Sequence, residues 1–204
     1  MSTAFQPDLT LFLLRHGEAE GNRNRAFLGR RDDPLTQTGL SQVSELVQRF
    51  GDRSLDAIYS SPLQRAVATA NMLATRKGLE VALVPELIEQ DFGAWDGVPV
   101  SSIFDTSPAI LHTWRTGGPD VRPESGESLQ EVASRVSQAF QTLRNQHPRG
   151  ACIALVGHGG AFQALVCTLL NVPLRPMWPF KLALASITEI HITADQPSLI
   201  RLSA

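Results

Sequence analysis

Four short apolar runs constrain the fold of this chain more than any other feature of its sequence. The first is Leu9–Leu14, and similar runs occur at Asp56–Ser60, Val81–Val84 and Cys152–Gly157. Apolar runs of this length without regular polar alternation are typical of strands buried on both faces, as in a parallel sheet. The runs therefore predict the central strands of a largely parallel sheet.

Helical patterns fall between these runs. The segment Ser61–Gln64 predicts a helix start, with Ser61 as the cap, Pro62 in the first turn and Gln64 completing a capping box. Helical spacing of apolar residues then continues as far as Gly78. Ser128 and Glu131 form a second capping box at the start of another helix. Two further helices are predicted, from about Gly160 to Leu170 and from after Thr36 to about Phe50.

The end of the chain and one internal segment depart from this alternation. Leu184–Ile192 and Ser198–Leu202 predict two strands joined as an edge hairpin. Residues 97–127 are rich in Pro and Gly, which indicates short helices and loops. We expect an α/β fold, a three-layer α/β/α sandwich with a mostly parallel central sheet and an antiparallel edge strand. It would form a single domain over residues 1–204, with a cap-like insertion at about 97–127.

The composition excludes several classes of protein. With 204 residues, 43% apolar and 19% charged, the chain is typical of a soluble globular domain. A net charge of −2 provides no basic field for nucleic acid, and no apolar run approaches the ~20 residues that span a bilayer. The first ten residues lack a signal core, and Cys152 and Cys167 lack metal-ligand spacing. We expect a cytoplasmic protein with two reduced thiols and no nucleic-acid or membrane partner.

Charged and titratable side chains follow three of the predicted strands. Arg15–Glu18 ends the first, His158–Gly160 follows the run at Cys152–Gly157, and Arg65 lies in the first turn after Asp56–Ser60. In open α/β sheets, ligands bind beyond the carboxyl ends of the strands. If the three strands are parallel, two histidines and two arginines meet at one edge.

Phosphate is the group that fits these side chains. The planar forks of Arg15 and Arg65 match phosphate oxygens, so the two could clamp one from both sides. Gly159 and Gly160 open a helix, whose free backbone N–H groups favour an anion, and Asn22 could donate a further hydrogen bond. The sequence therefore predicts a phosphate site at this edge.

The histidines suggest what happens to such a phosphate. Nearby positive charge disfavours an imidazolium, so His16 is expected to be neutral, with a lone pair that can attack phosphorus. His158 would then hydrogen-bond the transferring oxygens, and fixed cations would stabilise their charge without a metal.

Other interpretations stay open at this point. A histidine after a strand is often only a hydrogen-bonded cap, and a His/Glu metal site is an alternative, although two arginines would repel a cation. The segment His16–Glu18 resembles half of a zinc deaminase motif, but no PCxxC follows. The chain has no P-loop and no GxGxxG motif. We expect neither a metal nor a cofactor.

Six segments, taken in order, carry a family resemblance. They are Arg15–Glu18 with Asn22, Gly29–Gln42, Ser60–Ala66, Leu87–Gly97, Gly126–Ser128 and Val156–Gly160. Together they resemble the histidine phosphatase superfamily, which includes cofactor-dependent phosphoglycerate mutases and small bacterial phosphatases. The resemblance covers almost the whole chain. One departure is Ala19, where many members carry Ser or Thr, so one hydroxyl contact with phosphate is absent.

The resemblance implies a phosphoglycerate mutase-like fold and phosphoryl transfer to His16. It also implies that Glu89 is the proton donor to the leaving oxygen and later the base for water, with Asp91 as second choice. Burial beside an anion favours the protonated form of a carboxyl group, which suits this role.

The reaction implied is metal-independent hydrolysis of a small phosphate monoester, with a phosphorylated metabolite as substrate and inorganic phosphate as product. Ribazole phosphates, sugar phosphates and phosphoglycerate derivatives are candidate substrates. A chain of 204 residues favours a phosphatase over a mutase, which is usually longer. A mutase, a non-catalytic phospholigand-binding protein and a homodimer are left open. The residues expected around the substrate are Phe27, Leu28, Gly29, Arg30, Trp95, Trp114 and Arg115.

Overall fold

A six-stranded sheet forms the centre of the computed structural model, which describes residues 6–175 and 180–204. Its spatial order is β3-β2-β4-β1-β5-β6. The first four strands of this order run parallel to one another, and β5 runs antiparallel to β1. The strands are β1 (Leu9–Arg15), β2 (Ala57–Ser60), β3 (Val81–Leu83), β4 (Ala151–Gly157), β5 (Ile187–Thr193) and β6 (Gln196–Arg201).

Helices connect the strands and cover the sheet. They are α1 (Glu20–Arg23), α2 (Gln37–Phe50), α3 (Gln64–Lys77), α4 (Val100–Thr106), α5 (Pro108–Thr116), α6 (Leu129–Asn145) and α7 (Gly159–Leu169). Short 3₁₀ turns lie at Pro85–Leu87 and Gly93–Trp95. Among the described residues, no helix has both the length and the apolar character needed to cross a bilayer.

The alternation of side chains along β1 explains the three layers. Leu9, Leu11 and Leu13 pack into a core shared with α6 and α7, whereas Phe12 and Leu14 pack into a second core shared with α2 and α3. Successive side chains of a strand point to opposite faces, so a strand that is apolar at every position must be covered on both sides. Each buried leucine contributes about 1.5–3 kcal/mol. The predicted sandwich with a mostly parallel sheet is confirmed.

The predicted edge hairpin is also present. β6 pairs antiparallel with β5, and the turn between them consists of Ala194 and Asp195. Both turn residues have positive φ, 47° and 64°. Positive φ at both positions is typical of a two-residue type I′ turn, whose twist matches that of the flanking strands.

The two predicted capping boxes have different outcomes. At α6, Ser128 Oγ accepts the Glu131 N–H and a Glu131 carboxylate oxygen accepts the Ser128 N–H, as predicted. The prediction of Ser61 as the cap of α3 is wrong, because that helix begins at Gln64 and Leu63 precedes it. The Gln64 N–H donates instead to Asp32 Oδ1 at 2.7 Å, so a distant carboxylate caps the helix.

The segment between residues 97 and 127 contains α4 and α5 and packs near the carboxyl end of β1. Its small core consists of Trp95, Ile103 and Leu111, with Phe27 against it. Backbone hydrogen bonds from the Phe27 N–H to Val98 O and from the Gly97 N–H to Phe27 O join it to the loop after β1. The segment therefore lies beside the strand end that carries the predicted site. Its role as a cap stays a prediction.

Candidate active site

The strand ends that carry the predicted site residues are neighbours in space. In the parallel register, Arg15 of β1 lies opposite Gly157 of β4, and Ser60 of β2 lies opposite Val156. The next residues along the chain therefore meet at one edge of the sheet. The rings of His16 and His158 have centroids 5.1 Å apart, and both side chains are buried.

One hydrogen bond fixes the proton on His16. Its Nδ1 lies 2.6 Å from the carbonyl oxygen of Gly17. A carbonyl oxygen can only accept, so Nδ1 carries the hydrogen in the neutral ring and Nε2 keeps its lone pair. The local backbone thus presents Nε2 as the nucleophilic atom.

His158 is held by the loop after β2. Its Nε2 lies 2.7 Å from Ser61 Oγ, and its Nδ1 is buried without a hydrogen-bond partner. Ser61 Oγ also receives the Leu63 N–H at 3.4 Å, so the Ser61 hydroxyl hydrogen is available to His158 Nε2. In that arrangement Nδ1–H is an unpaired donor.

The environment keeps both histidines neutral. Burial lowers the pKa of His16 well below its ordinary value, and the charges of Arg65 and Arg15 lower it further. Burial likewise lowers the pKa of His158, with Arg65 and His16 as the next causes. Desolvation and nearby positive charge both disfavour an imidazolium. The neutral state predicted for His16 from its arginine neighbours agrees with this direction.

The two arginines are anchored by backbone carbonyls but keep a free donor each. Arg15 Nη1 donates to Leu182 O, while Arg65 donates through Nη1 to Arg31 O at 2.7 Å and through Nη2 to Gly29 O at 2.6 Å. The Nε of each arginine is buried without a partner. Burial lowers the pKa of both guanidinium groups, and the negative charge of Glu89 opposes this. With His158 Nδ1, the site holds three buried side-chain nitrogens that have no hydrogen-bond partner.

The carbonyls that hold Arg65 belong to a loop that Asp96 restrains. Asp96 Oδ1 accepts the Gly29 N–H at 2.8 Å, and Oδ2 accepts the Arg31 N–H at 2.7 Å. Gly29 was expected to contact substrate, and the structure places it where its carbonyl orients Arg65. Asp96 therefore restrains the loop at Gly29 and Arg31, and the carbonyl oxygens of that loop orient the guanidinium group of Arg65.

The side chain of Glu89 lies against the N-terminal end of α7. Its carboxylate accepts the N–H groups of Gln90 at 2.8 Å, Gly160 at 2.9 Å and Ala161 at 2.8 Å. Two of the helix N–H groups expected to bind an anion are therefore engaged by this carboxylate. A Cβ on Gly160 would lie 2.7 Å from Glu89 Oε1, so glycine allows the carboxylate to approach the helix. Asp91, the second choice, accepts the Gly93 N–H and does not line the cavity.

Arg135 is a positioning residue that sequence reasoning missed. It pairs with both carboxylate oxygens of Glu127, at 2.7 and 2.9 Å, and donates to the carbonyls of Glu86, Ile88 and Glu89. Both side chains of the pair are mostly buried. The irregular backbone before Glu89 has carbonyls that need donors. The requirement of these carbonyls for a donor is the one feature of the sequence that could have indicated a role for Arg135.

A cavity of about 210 Å³ opens at this edge of the sheet. Arg15, Asn22, Phe27, Leu28, Glu89 and Gly159 line it, as does Trp114 from the insertion. Asn22 Oδ1 accepts the Ala19 N–H, which leaves its amide N–H groups as donors. His16, His158 and Arg65 are buried and are not among the lining residues; the charge of Arg15 acts on both rings from the cavity wall.

Three residues expected at the substrate lie elsewhere. Arg30 pairs weakly with Asp91 and Glu127 on the outer side of the loop. Trp95 is buried in the small core of the insertion, and Arg115 lines a separate groove on its outer face. The cavity instead has Gln90, Phe92 and Gln163 in its wall, which the sequence did not indicate. Among residues 6–175 and 180–204, no cluster of three or more His, Cys, Asp or Glu side chains could hold a metal ion.

The fold and these side chains define a site that can hold an oxyanion beside a neutral histidine. The model of the histidine phosphatase superfamily (branch 1) matches residues 11–204, so the chain belongs to this family.

Relatives of the chain are similar over nearly their whole length. A phosphoserine phosphatase 1 of Hydrogenobacter thermophilus is 33% identical over 95% of this chain and 91% of its own. A probable phosphoglycerate mutase GpmB of an Enterobacter species is 34% identical over 89% and 84%. The solved structure of a mycobacterial glucosyl-3-phosphoglycerate phosphatase with VO3 has a TM-score of 0.87 and 30% identity, covering 96% of this chain and 98% of its own.

Proposed function

We propose that the chain is a metal-independent phosphatase that hydrolyses a small phosphate monoester through a phosphohistidine on His16. The general activity, phosphoric monoester hydrolysis, is supported by the family and by relatives named as phosphatases. The observation that carries the mechanism is the buried neutral His16, whose Nε2 is free because Nδ1 bonds Gly17 O. Arg15 and Arg65, whose charges act on this ring, and His158, whose ring lies beside it, each have a buried nitrogen without a partner.

In the first step, the lone pair of His16 Nε2 attacks phosphorus and the bond from phosphorus to the ester oxygen breaks. Arg15 Nε, Arg65 Nε and His158 Nδ1 donate to the equatorial oxygens, where charge is spread in the transition state. The leaving oxygen takes a proton from the Glu89 carboxyl group. The products are the free alcohol, a phosphorylated His16 and the Glu89 carboxylate.

In the second step, the oxygen of a water molecule attacks phosphorus while Glu89 takes a proton from that water. The bond between phosphorus and His16 Nε2 breaks, and its electron pair returns to the ring. The products are inorganic phosphate, neutral His16 and protonated Glu89, so the cycle closes. The N–H groups of Gly160 and Ala161 hold the carboxylate in place for both proton transfers.

The test measures phosphate release from a panel of monoesters with a chelator present. The parent chain, His16→Ala and His112→Ala are compared, because His112 is an exposed histidine outside the cavity. We expect release by the parent and by His112→Ala, and an acid-labile phosphate on both proteins after rapid quenching. His16→Ala should show neither.

Four other outcomes would contradict the proposal. Release that persists in His16→Ala would exclude this nucleophile, and release abolished by the chelator would exclude a metal-independent reaction. Turnover that requires a bisphosphorylated primer would indicate a mutase, as in the name of the GpmB relative. Binding without turnover would indicate a phospholigand-binding protein. The cytoplasmic location and the homodimer stay predictions.

A further inference from the structure

The cavity beside the proposed catalytic residues carries very few charges. Among the described residues that line it, Arg15 and Glu89 are the ionisable ones. Under the proposed function, both are engaged by the phosphate: Arg15 donates to its oxygens and Glu89 moves the proton. The remainder of the wall consists of carboxamide, apolar and glycine residues. Among the described residues of the wall, no fixed charge is left for the alcohol part of a substrate.

The charged side chains between two lining residues, Asn22 and Ala26, do not enter the wall. Arg23 and Arg25 are exposed and are not among the described residues that line the cavity. A carboxylate or ammonium group on the alcohol would therefore lose water without gaining a partner.

The uncharged part of the wall has a definite character. The rings of Phe27, Phe92 and Trp114 lie together, with centroid distances between 4.9 and 6.3 Å. The amides of Gln90 and Gln163 donate to backbone carbonyls of Glu127 and Phe180, both at 2.8 Å. One N–H of each amide is thus engaged, which leaves each side chain with its Oε1 acceptor and a second N–H.

We infer that the substrate of the proposed phosphatase is a small monoester of an uncharged alcohol with a flat apolar face and hydroxyl or N–H donors. The aromatic side chains would cover the flat face, and the carboxamide oxygens would accept from the donors. The described wall offers no free cation to a carboxylate and no free anion to an ammonium group, so phosphoserine and phosphoglycerate would be poor substrates. This inference rests on the proposed function.

Matched pairs of esters test the charge separately from the reaction. O-phosphoserine is compared with N-acetyl-O-phosphoserine amide, and 3-phosphoglycerate with glycerol 3-phosphate. Phosphotyrosine is compared with its N-acetyl amide and with phenyl phosphate. In each pair, we expect kcat/KM for the ester whose alcohol part is uncharged to exceed kcat/KM for the ester whose alcohol part is charged by about tenfold or more.

A variant tests the aromatic wall. Trp114→Ala should lower kcat/KM for phenyl phosphate by about tenfold, and for glycerol 3-phosphate by much less. Phe104→Ala is the matched control, because this aromatic residue of the same insertion is 58% exposed and does not line the cavity. It should leave both esters unaffected.

The outcomes separate the two proposals. Failure to hydrolyse any ester would overturn the proposed function. Hydrolysis of charged and uncharged partners at equal rates, or a preference for the charged ones, would overturn the substrate inference and leave the phosphatase intact. Equal loss on every ester in Trp114→Ala would overturn the role of the aromatic wall.

Discussion

The rings of His16 and His158 lie with their centroids 5.1 Å apart at an interplanar angle of 61°, in a site that also holds two guanidinium groups. Burial and the charges of Arg65 and Arg15 lower the pKa of both rings well below the ordinary value. An approaching phosphate brings the negative charge that these groups lack. Under the proposed function, the site is therefore a preorganised set of donors around a neutral nucleophile.

The two depressed pKa values predict a loss of stability in acid. In the unfolded chain, His16 and His158 become protonated near pH 6.5. In the folded chain, both rings stay neutral until the pH falls well below this value. The unfolded state then binds more protons, so the contribution of these rings is complete above pH 6.5 and is lost as pH falls towards the folded pKa values. A difference of one pH unit between folded and unfolded pKa corresponds to about 1.4 kcal/mol. Thermal unfolding between pH 7.5 and 5 measures this loss.

A double variant isolates this effect from the other titrating groups. His16→Gln with His158→Gln removes both rings, and the decrease in Tm between pH 7.5 and 5 should become smaller. His112→Gln removes an exposed histidine and should leave the decrease unchanged. If the double variant loses as much stability in acid as the parent, the buried rings do not cause the loss.

Replacing the carboxyl group of Glu89 should affect esters according to their leaving groups. Glu89→Gln has no proton to give, so phosphorylation by an alkyl phosphate should slow by about 10²–10⁴-fold. The 4-nitrophenolate anion leaves without protonation, so 4-nitrophenyl phosphate should still give a burst close to one equivalent. Rapid-quench measurement of the first turnover checks both rates.

The control is Glu86→Gln, an exposed carboxylate three residues earlier in the same segment. It should behave as the parent with both esters. Equal slowing of the burst and of the alkyl ester by Glu89→Gln would indicate that Glu89 positions the site and is not the proton donor.

The strand ends could be located from the sequence, because an apolar run stops where a strand leaves the core. Parallel register then requires that neighbouring ends meet, which predicts that His16, His158 and Arg65 lie close together. Glu89 does not directly follow the strand at Val81–Leu83, and its role is implied by the resemblance alone. Its position depends on the N–H groups at the start of α7, which lie 71 and 72 residues away in sequence.

Contacts made by loops could not be predicted in the same way. Ser61 has the residue type and spacing of a cap, but its hydroxyl bonds His158 while Asp32 caps the helix. Arg30 follows the motif loop closely yet turns outward to Glu127. The choice between local and distant partners depends on tertiary packing, on which a short stretch of sequence carries no information.

Breaking the pair of Arg135 and Glu127 should destabilise the fold. Arg135→Met removes the bidentate cation partner of the mostly buried Glu127 carboxylate and the side-chain donor to the carbonyls of Glu86, Ile88 and Glu89. Removing one partner of a buried pair costs about 3–5 kcal/mol. Chemical denaturation should show this decrease in the free energy of unfolding.

An exposed pair at the start of the same helix, formed by Glu131 of α6 and Arg122 of the preceding segment, is the comparison for Arg135. Arg122 pairs with Glu131, whose side chains are 52% and 46% exposed, and pairs of this kind contribute at most about 1 kcal/mol. Arg122→Met should therefore have a small effect. Similar losses from Arg122→Met and Arg135→Met would show that the buried pair does not anchor the segment carrying Glu89.

Asp96 should act on phosphate binding through Arg65, without contact to the phosphate. Its two oxygens accept the N–H groups of Gly29 and Arg31, whose carbonyls hold the guanidinium of Arg65. In Asp96→Asn one acceptor becomes an N–H donor facing another N–H, so one end of the loop is released. We expect KM and the inhibition constant of inorganic phosphate to rise about tenfold, with a smaller change in kcat.

Asp120→Asn is the control, because Asp120 is exposed in the insertion and its replacement should change neither constant. A fall in kcat with unchanged phosphate inhibition would place Asp96 in the chemistry instead, and an unchanged KM would show that the loop holds Arg65 without it.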